Sequence, residues 1–211
     1  MKNNLHQTRD VVNYFSEQIR GVVLDLGAGS AKYKDIIKMN AVKYTAFDMF
    51  PGERIDVVGD ILKLPFDDNS FDTIVSTQVL EHVEKPWIMI DQIYRVLKKD
   101  GVCLVSCPFL VPYHPDPGDY FRYTKAGLIS LFKNTGFEII ECEYYGKFFT
   151  VFEELIRFLF FSRFKAYKNK KQSFWSKRFL RYFQKLSFFL DGMLKKEQIV
   201  YANVYIIAKK Q

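Results

Sequence analysis

The sequence predicts an α/β fold, a doubly wound sheet whose parallel strands alternate with covering helices. Three observations lead there. Short apolar runs recur between residues 22 and 145, separated by stretches with helical spacing. The first run stops at the turn Gly27-Ala28-Gly29. The next two stop at acids, Asp48 and Asp60. Strands that alternate with helices need crossovers, and crossovers make parallel sheets.

The elements follow in order. Leu5 to Ile19 carries Val11, Val12, Phe15 and Ile19 at helical spacing. Val22 to Leu26 reads as a buried parallel strand entering the glycine turn. Ser30 is placed to cap a helix reaching about Met39. Tyr44 to Phe47 is the second strand, Pro51-Gly52 a turn, and Ile55 to Val58 the third strand. A polar loop from Pro65 to Ser70 leads to the fourth strand, Phe71 to Ser76. Pro86 suits the first position of a helix through Lys98, which Asp100-Gly101 closes. Val102 to Ser106 is the fifth strand. Thr124 caps a helix through Phe132 that ends near Gly136, and Phe137 to Tyr145 is the sixth strand. The β-branched, aromatic-rich run from Ile199 to Ala208 supplies a seventh, about fifty residues later. That connection is too long for a hairpin and reads as an insertion. The expected division is therefore a main domain of residues 1–147 and 198–211, interrupted by a helical insertion at 148–197.

Composition bounds the rest. With 48% hydrophobic and 26% charged residues, a 211-residue chain has material for a real core. Cys103, Cys107 and Cys142 form no close pair, so neither a disulfide framework nor zinc spacing is present. No metal is expected, and a reducing cytoplasm fits. Met1 to Asp10 is polar and has no apolar stretch, so no secretion signal is expected. The net charge of +7 is concentrated: residues 147–197 hold 13 Lys or Arg against 4 Asp or Glu.

The strand ends carry the chemistry. A glycine turn lets a ligand approach the backbone closely, and ligands of open α/β sheets bind beyond the carboxyl ends of strands. Asp48 is placed to accept from both hydroxyls of a ribose, and Asp60 from an adenine amino group beside the Ile61 amide. A nicotinamide site would need glycine at the position held here by Lys32, and would give Asp60 no role.

The run Val22-Val23-Leu24-Asp25-Leu26-Gly27-Ala28-Gly29-Ser30 resembles the first motif of class I S-adenosylmethionine-dependent methyltransferases. Gly59-Asp60-Ile61-Leu62-Lys63-Leu64-Pro65-Phe66, Leu80-Glu81-His82-Val83 and Arg95-Val96-Leu97-Lys98-Lys99-Asp100-Gly101 extend the likeness. They are similar to the type 11 methyltransferase-domain family, which includes ubiquinone and menaquinone C-methyltransferases. The likeness covers about Val22 to Pro108. It implies a Rossmann-like, seven-stranded sheet whose last strand is antiparallel, and S-adenosylmethionine as cofactor. It implies that Asp25, Gly27, Ala28, Gly29, Asp48, Met49, Asp60, Ile61, Gln78 and Val79 surround that cofactor. Asp25 would support the loop and the methionine amino group, and Gln78 and Val79 would approach the methionine end. The third small position of the motif is Ala31 or Lys32 here, a departure that makes the turn less permissive.

Methyl transfer is an in-line displacement at a sulfonium carbon, so positioning dominates and a base is needed only when the nucleophile must lose a proton. His82 sits where the reacting centre should be, or else packs its loop. The segment Pro112 to Thr124 should lie over the cleft. There His114 is a candidate general base or substrate contact, with Asp116 or Asp119 orienting it. Tyr113 and Arg122 are candidate substrate contacts, Arg122 for an anionic group. The structural alternative is a lid in which the Asp119–Arg122 pair fixes the following helix start. The segment is similar to those of methyltransferases of surface-polysaccharide and glycolipid pathways.

In the insertion, Trp175, Phe179, Tyr182, Phe183, Leu186, Phe189 and Leu190 fall on one helical stripe, with Lys177, Arg178, Arg181 and Lys185 largely off it. Phe152 to Phe164 is a second amphipathic stretch. Three readings stand: a cap packed on the sheet or on a second subunit of a homodimer, an interfacial helix on an anionic membrane surface, or a nucleic-acid platform. The stripe disfavours the last, since base stacking requires no helical apolar period. The expected function is methyl transfer to a small-molecule, lipid-linked or glycan-precursor acceptor, at the inner face of the membrane or free in the cytoplasm. The alternatives are an RNA or protein methyltransferase, or a catalytically silent cofactor-binding interaction module.

Overall fold

The computed structural model describes residues 5–115, 117–163, 174–194 and 200–211. Asp116 and Ile199 therefore lie outside the described residues, as do the side chains of Trp175, Lys177 and Arg178.

Strands β1 (Val22–Leu26), β2 (Lys43–Asp48), β3 (Val57–Val58), β4 (Phe71–Thr77), β5 (Leu97–Pro108), β6 (Phe137–Tyr145) and β7 (Asn203–Lys210) form one seven-stranded sheet. Its order is β3-β2-β1-β4-β5-β7-β6. The first five strands pair in parallel, and β7 runs antiparallel between β5 and β6. Helices α1 (Thr8–Phe15) and α2 (Lys34–Lys38) cover one face, with α3 (Pro86–Val96) and α4 (Lys125–Thr135) on the other.

Alternation along β1 divides the core. Leu24 and Leu26 point to the α3–α4 layer with Met89, Ile90, Ile93 and Phe132. Val23 points to the α1–α2 layer with Val11, Phe15 and Ile37. Each is fully buried, and each such side chain contributes about 1.5–3 kcal/mol. The crossover of strand order falls between β1 and β4, where both strands deliver their carboxyl ends to one edge.

Several boundaries differ from expectation for local reasons. Ser30 does not cap α2. Ala31 takes φ +50° and closes a turn onto the Ala28 carbonyl at 2.8 Å, so the helix starts only at Lys34. Helix α3 ends at Val96, two residues early, because Leu97 already turns extended and pairs with Phe71. Thr124 and Gly136 do act as expected. The Thr124 hydroxyl accepts from the Gly127 amide at 3.1 Å, and Gly136 takes the left-handed φ of +101°.

The insertion is a helical hairpin, α5 (Phe148–Arg163) and α6 (Phe174–Met193). Its two ends lock each other. The fully buried Asp191 of α6 accepts from the amides of Lys147, Phe149 and Thr150, at 3.1, 2.8 and 3.1 Å, and from the Thr150 hydroxyl at 2.6 Å. These are donors that the first turn of α5 leaves open, and a carboxylate also suits the positive end of a helix. Lys147 answers by donating to the Asp191 and Leu194 carbonyls at the end of α6. The face of α6 that packs inward holds Leu180, Ser187 and Asp191. The aromatic stripe is split: Phe183, against Phe152, and Leu190 are half-buried, while Phe179, Tyr182, Leu186 and Phe189 are 52% to 66% exposed. No helix among the described residues is long and apolar enough to cross a membrane.

Candidate active site

The glycine turn at the end of β1 is stitched to the end of β2. The amides of Gly27 and Ala28 both donate to the Phe47 carbonyl, at 2.9 and 3.0 Å. Gly27 takes φ +75°, and a Cβ there would lie 2.4 Å from Val79. Only glycine fits both the torsion and the approach. Asp48 then fastens the turn from the next strand end. One oxygen accepts from the Gly29 amide at 2.8 Å and the other from Phe50 at 3.0 Å. Asp60 accepts from the Leu62 amide at 2.8 Å. A carboxylate has about four lone-pair sites, so both acids keep acceptor capacity for a ligand.

These residues share one cleft of about 440 Å³. Gly27, Gly29, Asp48, Met49, Asp60, Ile61, Gln78 and Val79 all line it, together with His82. Phe50, 55% exposed, and Tyr120 add aromatic surface that was not foreseen. Gln78 sits at the strand exit with φ +56°, a strained torsion for a non-glycine residue. Its amide donates to the Ser106 carbonyl at 2.8 Å, which holds the strain in place.

Two residues expected at the cofactor do not line this cleft. Ala28 is not among the lining residues, and its amide holds the loop to the Phe47 carbonyl. Asp25 is buried on the α1–α2 side of β1 and accepts from the Tyr44 hydroxyl at 2.7 Å. The pleat explains this, since Asp25 alternates with Leu24 and Leu26. Burial pushes the Asp25 carboxyl up to about 6, against the pull of the Tyr44 hydrogen bond.

The segment after β5 folds over the cleft and is held there by backbone bonds from Tyr120 and Phe121 to the Glu81 carbonyl. Arg122 is engaged within the segment. Its guanidinium pairs with both oxygens of Asp119 and donates to the carbonyls of Val111, Pro112 and Phe121. This corrects the expectation of an anion-binding Arg122, because its donors are already occupied. The Arg122 guanidinium in turn holds the Asp119 carboxyl down at about 2. Asp119 does not orient the His114 ring. It accepts from the His114 amide at 2.9 Å, while the ring donates from Nδ1 to the Pro112 carbonyl at 2.8 Å. Tyr113 is 65% exposed and lines neither this cleft nor its neighbour, and Tyr120 takes the place expected for it.

His114 instead lines a second cavity of about 610 Å³, walled by α1, the segment after β5 and α5. Arg9, Lys32, Glu153, Glu154 and Arg157 make that cavity polar and charged. Burial, then the neighbouring Glu153, raises the Glu154 carboxyl to about 7. The rings of His82 and His114 meet edge to face, 5.2 Å apart, so the histidine pair stands between cleft and cavity. Glu81 lies against both rings. Its carboxylate raises the His114 pKa above the usual imidazole value, although at 3.9 Å the contact is too long for a hydrogen bond. Sequence reasoning read Glu81 only as part of a motif, and Glu154 only as a charge in the insertion.

Residues 24–105 match a family described as a methyltransferase domain. A demethylmenaquinone methyltransferase of Clavibacter sepedonicus is 32% identical over 127 residues, covering 53% of this chain and 51% of that protein. The chain spans about half the length of the curated relatives it matches. Among solved structures, a SAM-dependent methyltransferase of Archaeoglobus fulgidus superposes with TM-score 0.60 at 18% identity, covering 96% of this chain and 95% of that one. The [4+2]-cyclase SpnF superposes with TM-score 0.62 at 21% identity, covering 96% of this chain and 80% of its own. The fold alone thus hosts more than one chemistry. What narrows it here is that the sheet order, with β7 inserted antiparallel, coincides with the family match across the glycine turn and both acidic strand ends. Over residues 24–105 the chain is therefore similar to a methyltransferase domain, and that match spans the glycine turn and both acidic strand ends.

Proposed function

We propose that the chain transfers the methyl group of S-adenosylmethionine to a small lipid-linked or glycan-precursor acceptor that enters through the second cavity. The observation that carries this reading is the junction of the two hollows at His82 and His114. A nucleoside held by Asp48 and Asp60 would direct its methionine arm along Gln78 and Val79 toward that junction. An acceptor in the α5-walled cavity would approach from the opposite side. In-line displacement needs that arrangement, with the nucleophile about 3–3.5 Å from the methyl carbon and opposite the sulfur. The cofactor supplies an activated methyl on a sulfonium. The protein's part is to hold the two reactants in line and keep the contact dry.

The hairpin supports a membrane-held acceptor. On α6, Phe179, Tyr182, Leu186, Phe189 and Met193 are all exposed at helical spacing, and α5 adds Phe148, Phe152, Leu155 and Phe158. The same segment carries the chain's excess of Lys and Arg. Apolar rings with flanking cations suit the interface of an anionic bilayer. Two measurements test the reading. Calorimetry with S-adenosylhomocysteine should give one site. Labelled-methyl transfer into separated lipid, nucleic-acid and small-molecule pools should label the lipid pool. Label confined to nucleic acid, or co-sedimentation with vesicles that ignores anionic lipid, would overturn the acceptor class.

A further inference from the structure

We propose that Glu81, His82 and His114 bind one divalent transition-metal cation at the junction of the cofactor cleft and the second cavity. The use assigned to the metal rests on the methyl-transfer reading above; its existence does not.

The first argument is a buried acid without a partner. Glu81 follows β4 in the turn Leu80–His82 and is fully buried, yet among the described residues neither carboxyl oxygen has a hydrogen-bond partner. Native interiors rarely leave such a group unsatisfied, because desolvating a carboxylate without a partner costs several kcal/mol. Facing it are Nε2 of His82 at 3.6 Å and Nε2 of His114 at 3.9 Å. Both distances are too long for hydrogen bonds. Both are short enough for two ligands of one ion, which at about 2.1 Å per bond can stand up to roughly 4.2 Å apart. All three ligand atoms lie within 4.8 Å of one another, so a small side-chain rotation closes the widest pair.

The second argument is the orientation of the rings. His82 donates from Nδ1 to the Gly118 carbonyl, and His114 from Nδ1 to the Pro112 carbonyl. In a neutral ring so held, Nε2 carries a lone pair, and in both histidines Nε2 is the nitrogen that faces Glu81. Metal-ligating histidines are held in this way, the second nitrogen tied to a backbone carbonyl. In that form three ligand atoms converge on one point. Arg122 comes within 3.5 Å of His114 Nδ1, but its charge is paired with Asp119.

Two imidazoles and one carboxylate form the ligand set of zinc sites that leave a fourth position open. His82 lines the cleft and His114 the cavity, so an acceptor oxygen can reach that position from the cavity side. Bound there, a hydroxyl loses its proton to solvent more readily. The oxygen then forms the new bond to the methyl carbon, the C–S bond breaks, and its electron pair returns to sulfur as a thioether. The acceptor class that follows is a hydroxyl, phenolic or on a sugar, rather than an amine. The sequence hides the set because 32 residues separate His82 from His114.

The test uses Co²⁺ as a spectroscopic probe on the metal-free full chain, with Zn²⁺ in competition. We expect one equivalent of Co²⁺, with the visible absorption of a low-coordinate N/O site, displaced by Zn²⁺. His114→Ala should weaken binding about 100-fold or more. Glu81→Gln should do the same if it folds, and the part-exposed His114 keeps the test decisive if it does not. Wild-type protein that binds S-adenosylhomocysteine but takes up no stoichiometric Co²⁺ would overturn the metal site and leave the cofactor reading intact. Co²⁺ uptake unchanged by His114→Ala would also overturn it. Co²⁺ uptake without S-adenosylhomocysteine binding would keep the site and overturn the cofactor reading.

Discussion

Replacing Asp48 by Ala separates a cofactor anchor from a loop fastener. The carboxylate does two things at once. It accepts from the Gly29 and Phe50 amides at 2.8 and 3.0 Å, and it faces the cleft with acceptor sites to spare. A hydrogen bond to a charged acceptor contributes about 1.5–3 kcal/mol. Two ribose hydroxyls on one carboxylate would therefore contribute about 3–6 kcal/mol, which is roughly a 10²- to 10⁴-fold change in affinity. The loop bonds are exposed, so losing them lowers stability by no more than about 1–2 kcal/mol. Asp48→Ala is thus expected to weaken S-adenosylhomocysteine binding by at least 100-fold in calorimetry, with only a modest drop in urea-unfolding stability. Affinity within about threefold of wild type would refute the reasoning. So would a loss of affinity matched by global unfolding, since the carboxylate would then act through the fold alone.

Three further outcomes follow from the same geometry. Gly27→Ala combines a left-handed torsion, about 1–2 kcal/mol for an L-residue, with a collision against Val79; urea unfolding should show a loss of about 2–4 kcal/mol. Asp25→Asn should depend on pH. With its pKa raised from 3.8 to about 6, the wild-type acid favours folding fully below about pH 4 and loses that contribution as pH rises through 6. The Asn variant should therefore be more stable than wild type by up to about 3 kcal/mol at pH 8 and nearly equal to it at pH 4, which unfolding at the two pH values measures. Asp191→Ala removes a buried carboxylate that answers three amides and a hydroxyl. It should loosen the first turn of α5 by about 3–5 kcal/mol, seen as faster amide exchange there while the sheet amides stay protected.

The sheet was legible because each strand carries its own signal. Val22–Leu26 and Val102–Ser106 are apolar enough to be buried on both faces, and the strands end in turns that only Gly27 or an acid such as Asp48 explains. The cleft was legible for the same reason, since its residues sit at strand ends whose relative placement follows from parallel topology. Legibility stopped where two distant segments had to meet. That Asp191 would cap a helix starting 43 residues earlier, at Phe148, is visible in neither segment alone. Glu81 and His114 belong to segments of different appearance, and only the fold brings Nε2 of one within 3.9 Å of the other's carboxylate. Ser30 misled because capping preference is local, while the positive φ of Ala31 belongs to the whole turn.

The α6 helix carries the argument furthest. An apolar stripe is ordinarily the face a helix buries, and Phe179, Tyr182, Leu186 and Phe189 make a better stripe than Leu180, Ser187 and Asp191. The fold nevertheless leaves those four side chains exposed and buries Leu180, Ser187 and Asp191, with Phe183 and Phe188 half-buried against Phe152 and His6. The reason lies in Asp191: a carboxylate that satisfies three helix-start amides must point inward, and Ser187, four residues earlier on the same face, is buried with it. Polar anchoring fixes the rotation of α6, and Phe179, Tyr182, Leu186 and Phe189 are left facing out. Hydrophobic area not used by the fold is available to a partner surface. Since Arg181 and Lys185 are exposed on the same helix, an anionic bilayer offers that area both an apolar phase and countercharge.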